Sequence, residues 1–293
     1  MAWRSGLEEK ESAAMKFPIP TSSWLVLAML ASTAASLQAS VLLYEGFSYG
    51  LADNANINGT AATGTGVQGN WTVTKTGTGT TSNVYKTAGL SFGSNFVTSG
   101  SGSLRLSATY SGGNTVSSAT VNLSNTATGT VWSSYLLSYS TAGSTSNGGS
   151  LITGVATAAD GATSSLKSGM LSNTSVTALK AANGYDATST ASANFAFVAD
   201  TTYLFISRFT NVGTTPGGGT DGVGTTWALT LAQYESWLAG GATEAGLDIN
   251  YSARAIDTAS AGAFTYDSNG YLVFRADAPD NNGSSMTMTI DEV

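Results

Sequence analysis

Histidine and cysteine are both absent from this chain of 293 residues, and those two zeros exclude whole classes of chemistry. Without histidine there is no Ser-His-Asp or Cys-His machinery and no imidazole ligand for a metal. Without cysteine there is no disulfide framework, no thiolate nucleophile, no Cys-held zinc or iron–sulfur centre and no lipid-modified cysteine. Charge is scarce as well. Asp, Glu, Lys and Arg make up 10% of the residues, against ~25% in ordinary soluble proteins. What charge there is leans acidic, with 18 Asp and Glu against 11 Lys and Arg. A net −7 without a basic stretch argues against a nucleic-acid partner, whose affinity comes largely from neutralised phosphates, and against an anionic lipid surface. Hydrophobic residues at 42% and aromatics at 10% are nevertheless too many for a disordered chain and enough for a core.

The N-terminal region reads as an export signal. Trp24 to Ala31 (WLVLAMLA) is a short apolar run, preceded by Lys16 and followed by small residues. Leu37-Gln38-Ala39 fits a cleavage site, which places the mature start near Ser40; a second cleavage point follows Ala35. Eight apolar residues are too few to span a bilayer, which takes ~20. Glu8, Glu9 and Glu11 are foreign to a cationic signal, so Met15-Lys16 makes the better start. Removing residues 1–39 takes three charges of each sign and leaves the net −7 unchanged. The expectation is a secreted or cell-surface protein with no membrane span in its mature chain.

Residues 40–293 read as one all-β domain. Leu104, Leu106, Ala108 and Tyr110 alternate with Arg105 and Ser107, the period of a strand with one buried face. The pattern recurs at Ala119, Val121 and Leu123, at Trp227, Leu229 and Leu231, along Leu247, Ile249, Tyr251, Ala253 and Ala255, and at Met286, Met288 and Ile290. The denser runs Tyr203–Ile206 and Tyr271–Phe274 predict central strands covered on both faces. Val131 to Tyr139 is a further long strand. Gly, Ser, Thr and Asn clusters punctuate these segments, with the longest loop at Asn211–Gly224. A single short helix is expected where Leu231, Tyr234 and Leu238 stand at helical spacing before Gly240-Gly241. About a dozen strands and one helix predict a sandwich of two antiparallel sheets. The chain stops inside the alternating strand Thr289-Ile290-Asp291-Glu292-Val293, which reads as a truncated C-terminus.

Several of these segments resemble a known family. Leu42-Leu43-Tyr44-Glu45-Gly46-Phe47-Ser48-Tyr49-Gly50 resembles the YEGFDYG opening of secreted proteins from planctomycete and verrucomicrobial bacteria. Ala88–Phe92, Gly129–Leu137, Thr202–Phe209 and Met288–Val293 resemble, in order, the GGLxY, GTVWxSFLL, TYLLVxKI and IDEV segments of the same proteins. The resemblance implies a LamG-like, concanavalin A-type jelly roll in an exported setting. Many such proteins close with a PEP-CTERM sorting tail, which this sequence does not contain. No reaction follows from the likeness, because one fold carries many functions.

Three chemistries are weighed. Glycosidases of this fold carry paired carboxylates in a Glu-x-Asp-x-x-Glu strand; none of Glu45, Glu235, Glu244 and Glu292 is followed by Asp two positions on, and Glu45 and Glu292 read as structural. No catalytic residue is therefore assigned. Asp277, Asp280, Asn281 and Asn282 gather hard oxygen donors before Gly283 and predict a calcium turn, although the same residues also make plain turns. Sugar binding would use aromatic platforms; Trp227 and Trp132 read as buried core, while Trp71 and Trp237 are open. The function expected is an exported, non-catalytic module for a glycan or surface partner. The alternatives are a structural or adhesive surface protein and a divergent glycoside hydrolase.

Overall fold

The computed structural model describes residues 41–94, 96, 102–142, 149–158, 164–173, 176–184, 197–213, 222–258, 266–278 and 284–293. The export signal read at 1–39 lies outside these residues. The described chain folds as two antiparallel sheets with two short helices, the expected all-β sandwich. One sheet has six strands in the order β1 (Val67–Thr76), β4 (Val116–Leu123), β12 (Tyr271–Asp277), β6 (Ser150–Ala156), β7 (Ser164–Asn173) and β8 (Val176–Gly184). The other has seven: β11 (Ala253–Thr258), β10 (Val223–Leu229), β9 (Thr202–Val212), β5 (Gly129–Ala142), β13 (Ser285–Asp291), β3 (Ser103–Thr109) and β2 (Thr80–Lys86). No helix among the described residues is long and apolar enough to cross a membrane.

Alternation decides which side of each strand meets the other sheet. In β3, Leu104, Leu106 and Ala108 are fully buried between the sheets while Arg105 and Ser107 face outward. In β13, Met286, Met288 and Ile290 point inward and Thr287 and Thr289 outward. On the inner face of the six-stranded sheet, the Trp71 and Phe274 rings stack with centroids 5.6 Å apart, and Phe47 packs against both. Tyr135 lies parallel to Phe205 at 5.2 Å. Rings in offset contact add to what burial of their area already contributes.

The helices depart from the sequence reading in one place. α1 (Leu231–Ala239) starts at Thr230, whose hydroxyl accepts from the Gln233 amide while the Gln233 side chain accepts from the Thr230 N–H, a capping box; the chain turns away at Gly240 and Gly241. That is the expected helix, and it takes Leu231 out of β10. The strand expected over Leu247–Ala255 forms only from Ala253, because Leu247 closes a second helix, α2 (Glu244–Leu247). Its Thr243 hydroxyl accepts from Gly246, Leu247 is buried, and the run Leu247–Ala255 becomes helix end, turn and then β11.

Close backbone approaches hold the edges. Residues 54–57 bond along β2, through Asn54 N–H to Tyr85 O (2.9 Å) and Tyr85 N–H to Ala55 O (2.8 Å). Residues 59–62 bond along β1, through Gly59 N–H to Trp71 O (2.8 Å) and Ala62 N–H to Gly69 O (2.9 Å). One segment thus covers an edge of each sheet and removes a template for pairing with another chain. Beside it, Tyr44 and Thr65 exchange both backbone bonds, and Gly66 lies so near that an added Cβ would sit 1.9 Å from the Leu42 carbonyl.

Gly66 (φ +77°) and Gly59 (φ +80°) share a left-handed backbone, but Gly59 has open space where its Cβ would go. Gly59→Ala should therefore cost only the conformational term, ~1–2 kcal/mol. Gly66→Ala should cost about 1–3 kcal/mol more, because a backbone carbonyl must move. Urea unfolding of both variants checks this; equal losses would mean that Leu42 is not held against Gly66.

Candidate functional site

The outward side of the seven-stranded sheet is divided into two halves. At the β10–β9–β5 end the outward residues are apolar: Leu229, Leu204 and Leu136 form one rung, and Trp227 neighbours Ile206 in the next. These side chains are buried together with Phe92, Tyr234 of α1 and Leu247 of α2 in a second core, separate from the one between the sheets. The dense run Tyr203–Ile206 is therefore covered on both faces, as expected of a central strand. Polar contacts fasten the cover to the sheet. Trp227 Nε1 donates to Asp248 Oδ1 (2.9 Å), Arg208 pairs with Glu244, and Arg254 reaches Asp248 at 3.4 Å. Trp132 lies parallel to Trp227 at 6.1 Å, with the Arg208 guanidinium 5.9 Å from its ring centroid.

At the β5–β13–β3–β2 end the outward residues carry hydroxyls. Ser82, Ser107, Thr287 and Ser140 stand side by side on four neighbouring strands, and Arg105, Thr289 and Ser138 form the next rung. With Tyr139 and Asp200 they line a depression of about 400 Å³. Adjacent rows are ~4.8 Å apart, so the four strands spread donors and acceptors over ~15 Å. Each hydroxyl can both donate and accept. Arg105 marks one end: its Nη2 donates to Asn54 Oδ1 (3.2 Å), and Asn54 sits at φ +63°. Asp200 marks the other, at φ +58°, with its N–H donating to Tyr139 O (2.8 Å).

Three carboxylates cluster where residue 45 meets the last strand. Glu45 and Val293 exchange both backbone bonds (2.7 and 3.1 Å), and the Tyr44 hydroxyl donates to Glu292 Oε2 (2.6 Å). Glu45 is fully buried. Its Oε1 accepts from the Phe47 N–H (2.8 Å), while Oε2 has no formed hydrogen bond, only the Tyr49 hydroxyl and Gly64 amide favouring its charge. Asp291, also fully buried, stands beside Leu136 on the outward face. It accepts from the N–H of Leu90 (2.8 Å) and of Glu292 (2.9 Å), and so ties the segment carrying Phe92 to the sheet. Burial, opposed by the Leu90 bond and reinforced by the nearby Glu292 charge, raises the Asp291 carboxyl to about 7. Burial also raises Glu45 above the usual carboxylate range.

Of the four residues expected to form a calcium turn, only Asp277 is among those described. Asp277 ends β12 and is engaged by Arg275 (3.1 Å) and by the Ser150 hydroxyl (2.9 Å). Asp280, Asn281 and Asn282 lie outside the described residues. Among those described, no group of three or more Asp and Glu is arranged to hold a metal ion. Trp71 is buried and donates to the Tyr49 hydroxyl (2.6 Å), and Trp227 is core. Trp132, expected to be buried, is only half-buried, because it faces outward at the margin of the cover. Trp237 is half-buried on α1 and donates to Thr243 O (2.8 Å). Glu235 is exposed on α1, and Glu244 is paired with Arg208. None of the four Glu lines the depression, whose one carboxylate is Asp200. The signal for that depression lay in the outward positions of β3 and β13. Their coming together depends on strand order.

Because Asp291 and Glu45 bind protons more tightly folded than unfolded, the folded chain holds protons that the unfolded chain releases between about pH 4 and 7. Stability contributed by these groups is present in acid and is lost as pH rises through 7. The urea midpoint should fall from pH 5 to pH 8, and Asp291→Asn should flatten that fall even while lowering the midpoint itself. A midpoint that rises over this range would contradict the assignment. Compared with protein-family models, curated proteins and solved structures, the chain finds no match, so the reading of its outward face rests on its own residues.

Proposed function

We propose that this chain is an exported, non-catalytic binding module that takes a glycan on the hydroxyl-bearing half of its seven-stranded sheet. The observation that carries the reading is the depression lined by Ser82, Arg105, Ser107, Ser138, Ser140, Asp200, Thr287 and Thr289. A sugar presents hydroxyls at every ring position. A lining of Ser and Thr hydroxyls with one guanidinium and one carboxylate offers donors and acceptors for them. The strands beneath keep those side chains in fixed rows, which limits the ordering cost of binding. The apolar half of the face is already covered by its own chain, so the polar half is the part left for a partner. Glycosidic cleavage of the usual kind needs two carboxylates flanking the bond; the lining supplies one. The WLVLAMLA run after Lys16 supports export, as does the resemblance to secreted jelly rolls of LamG type.

Protein recovered from an exporting bacterial host should begin at or near Ser40 by N-terminal sequencing; retention of Met15 would remove the export reading. The same protein, melted against a panel of soluble polysaccharides, should show a higher Tm with at least one of them, since a ligand of the folded state stabilises by mass action. Ser107→Val with Thr287→Val places a β-branched strand former at both positions and removes two central hydroxyls. That variant should melt like the parent alone and bind the responding glycan at least tenfold more weakly. Concentration-dependent assembly with no shift on any glycan would favour the structural or adhesive reading instead.

A further inference from the structure

We propose that the depression selects a glycan with a carboxylate on alternate units, a uronate seated at Arg105 and a neutral sugar at Asp200. This rests on the glycan reading and adds the chemical class. Of the four described arginines, Arg208, Arg254 and Arg275 each meet a carboxylate: Glu244, Asp248 and Asp277. Arg105 meets none among the described residues; its one hydrogen-bond partner there is the neutral Asn54. Asp53, next to Asn54 in the chain, is held by Lys86 at 2.6 Å. A guanidinium anchored through one Nη2 keeps its remaining N–H groups in a planar fork, and a carboxylate fits that fork with two parallel bonds.

Asp200 is the counterpart. Its backbone sits in the left-handed region, which non-glycine residues adopt at a cost, and its carboxylate makes no hydrogen bond or ion pair among the described residues. Arg105 on β3 and the Tyr139 backbone that holds Asp200 on β5 are separated by β13, hence by about two strand spacings, ~10 Å. The two backbones that carry these charges are thus held about two strand spacings apart, a span that different units of one glycan chain can bridge. Between them Thr287, Thr289, Ser138 and Ser140 offer only neutral donors and acceptors. A carboxylate beside Asp200 would be repelled, whereas vicinal hydroxyls there could donate to it. The net −7 of the chain disfavours a dense polyanion at long range, but at physiological salt that field is screened beyond ~8 Å, so contact with Arg105 decides.

Calorimetric titration of the exported protein with three oligosaccharides tests this: one alternating galacturonate with rhamnose, its methyl ester, and contiguous oligogalacturonate. The alternating acid should bind at least tenfold more tightly than its ester, and more tightly than the contiguous acid. Arg105→Gln should bring the acid down to the level of the ester, and Asp200→Asn should raise affinity for the contiguous acid. The acid–ester comparison uses the parent protein and does not depend on any variant folding. If ester and acid bind alike, or if Arg105→Gln leaves the preference intact, the charge assignment is overturned while the glycan reading stands. If none of the three binds but a neutral polysaccharide does, the outcome is the same. If no glycan of any kind binds, both readings fall.

Discussion

The register of β13 is the constraint on which the rest of the structure depends. This strand lies between β3 and β5 near the middle of the seven-stranded sheet, with Met288 opposite Leu106 on one side and Tyr139 on the other. Its inward residues fill the sandwich and its outward residues carry the hydroxyls. A slip of one residue would exchange the two sets, burying Thr287 and Thr289 and exposing Met286, Met288 and Ile290. Exposing three large apolar side chains costs about 1.5–3 kcal/mol each, and burying unpaired hydroxyls adds to that. The end of the strand is fixed independently, because Val293 exchanges backbone bonds with Glu45 and the Asp291 carboxylate accepts from Leu90. Core, open face and cover are thus all aligned by one strand.

The division of the outward face follows from which residues that alignment turns outward. Along β5 the outward series runs Trp132, Ser134, Leu136, Ser138, Ser140, and the change from Leu136 to Ser138 marks the margin of the cover. Asp291 stands beside Leu136 at that margin. Its position explains its chemistry, since apolar neighbours and the overlying segment remove water from a carboxylate that two backbone N–H groups still hold.

Much of the fold was legible in single strands. The alternation at Leu104–Ala108 and Met286–Ile290 gave the correct inward side, and the dense runs at Tyr203 and Tyr271 gave the central strands, because side-chain direction in a strand is local. The first part of the strand expected over Leu247–Ala255 was misread for a physical reason, while Ala253 and Ala255 do lie in β11. A four-residue helix shows barely one turn of its own periodicity, and what stabilises it is the Thr243 cap together with burial of Leu247 against residues far away in sequence. The depression was illegible for a similar reason. Ser82, Ser107, Thr287 and Ser140 become neighbours only once the order β2–β3–β13–β5 is known, and no local pattern encodes that order. The terminal motifs lie between these cases. Tyr44-Glu45 and Asp291-Glu292 stood out as segments, and their significance is that they bind each other.

The scarcity of charge gives the placement of each charge more weight. In a surface rich in ionic groups, one arginine beside a row of serines would carry little meaning, since exposed pairs contribute little and form readily. Here the described arginines are four. Arg208 and Arg254 pair with carboxylates of the helical cover, at Glu244 and Asp248, and Arg275 pairs with Asp277 within its own strand. Each of those three sits where a neighbouring acid reduces the cost of removing its charge from water. Among the described residues Arg105 has no such acid and is instead steadied by an amide oxygen from a residue in a left-handed conformation. No ion pair is formed by it among the described residues. An arrangement that holds a guanidinium still, half-buried and without a counter-charge, is stabilised most by an anion arriving from outside.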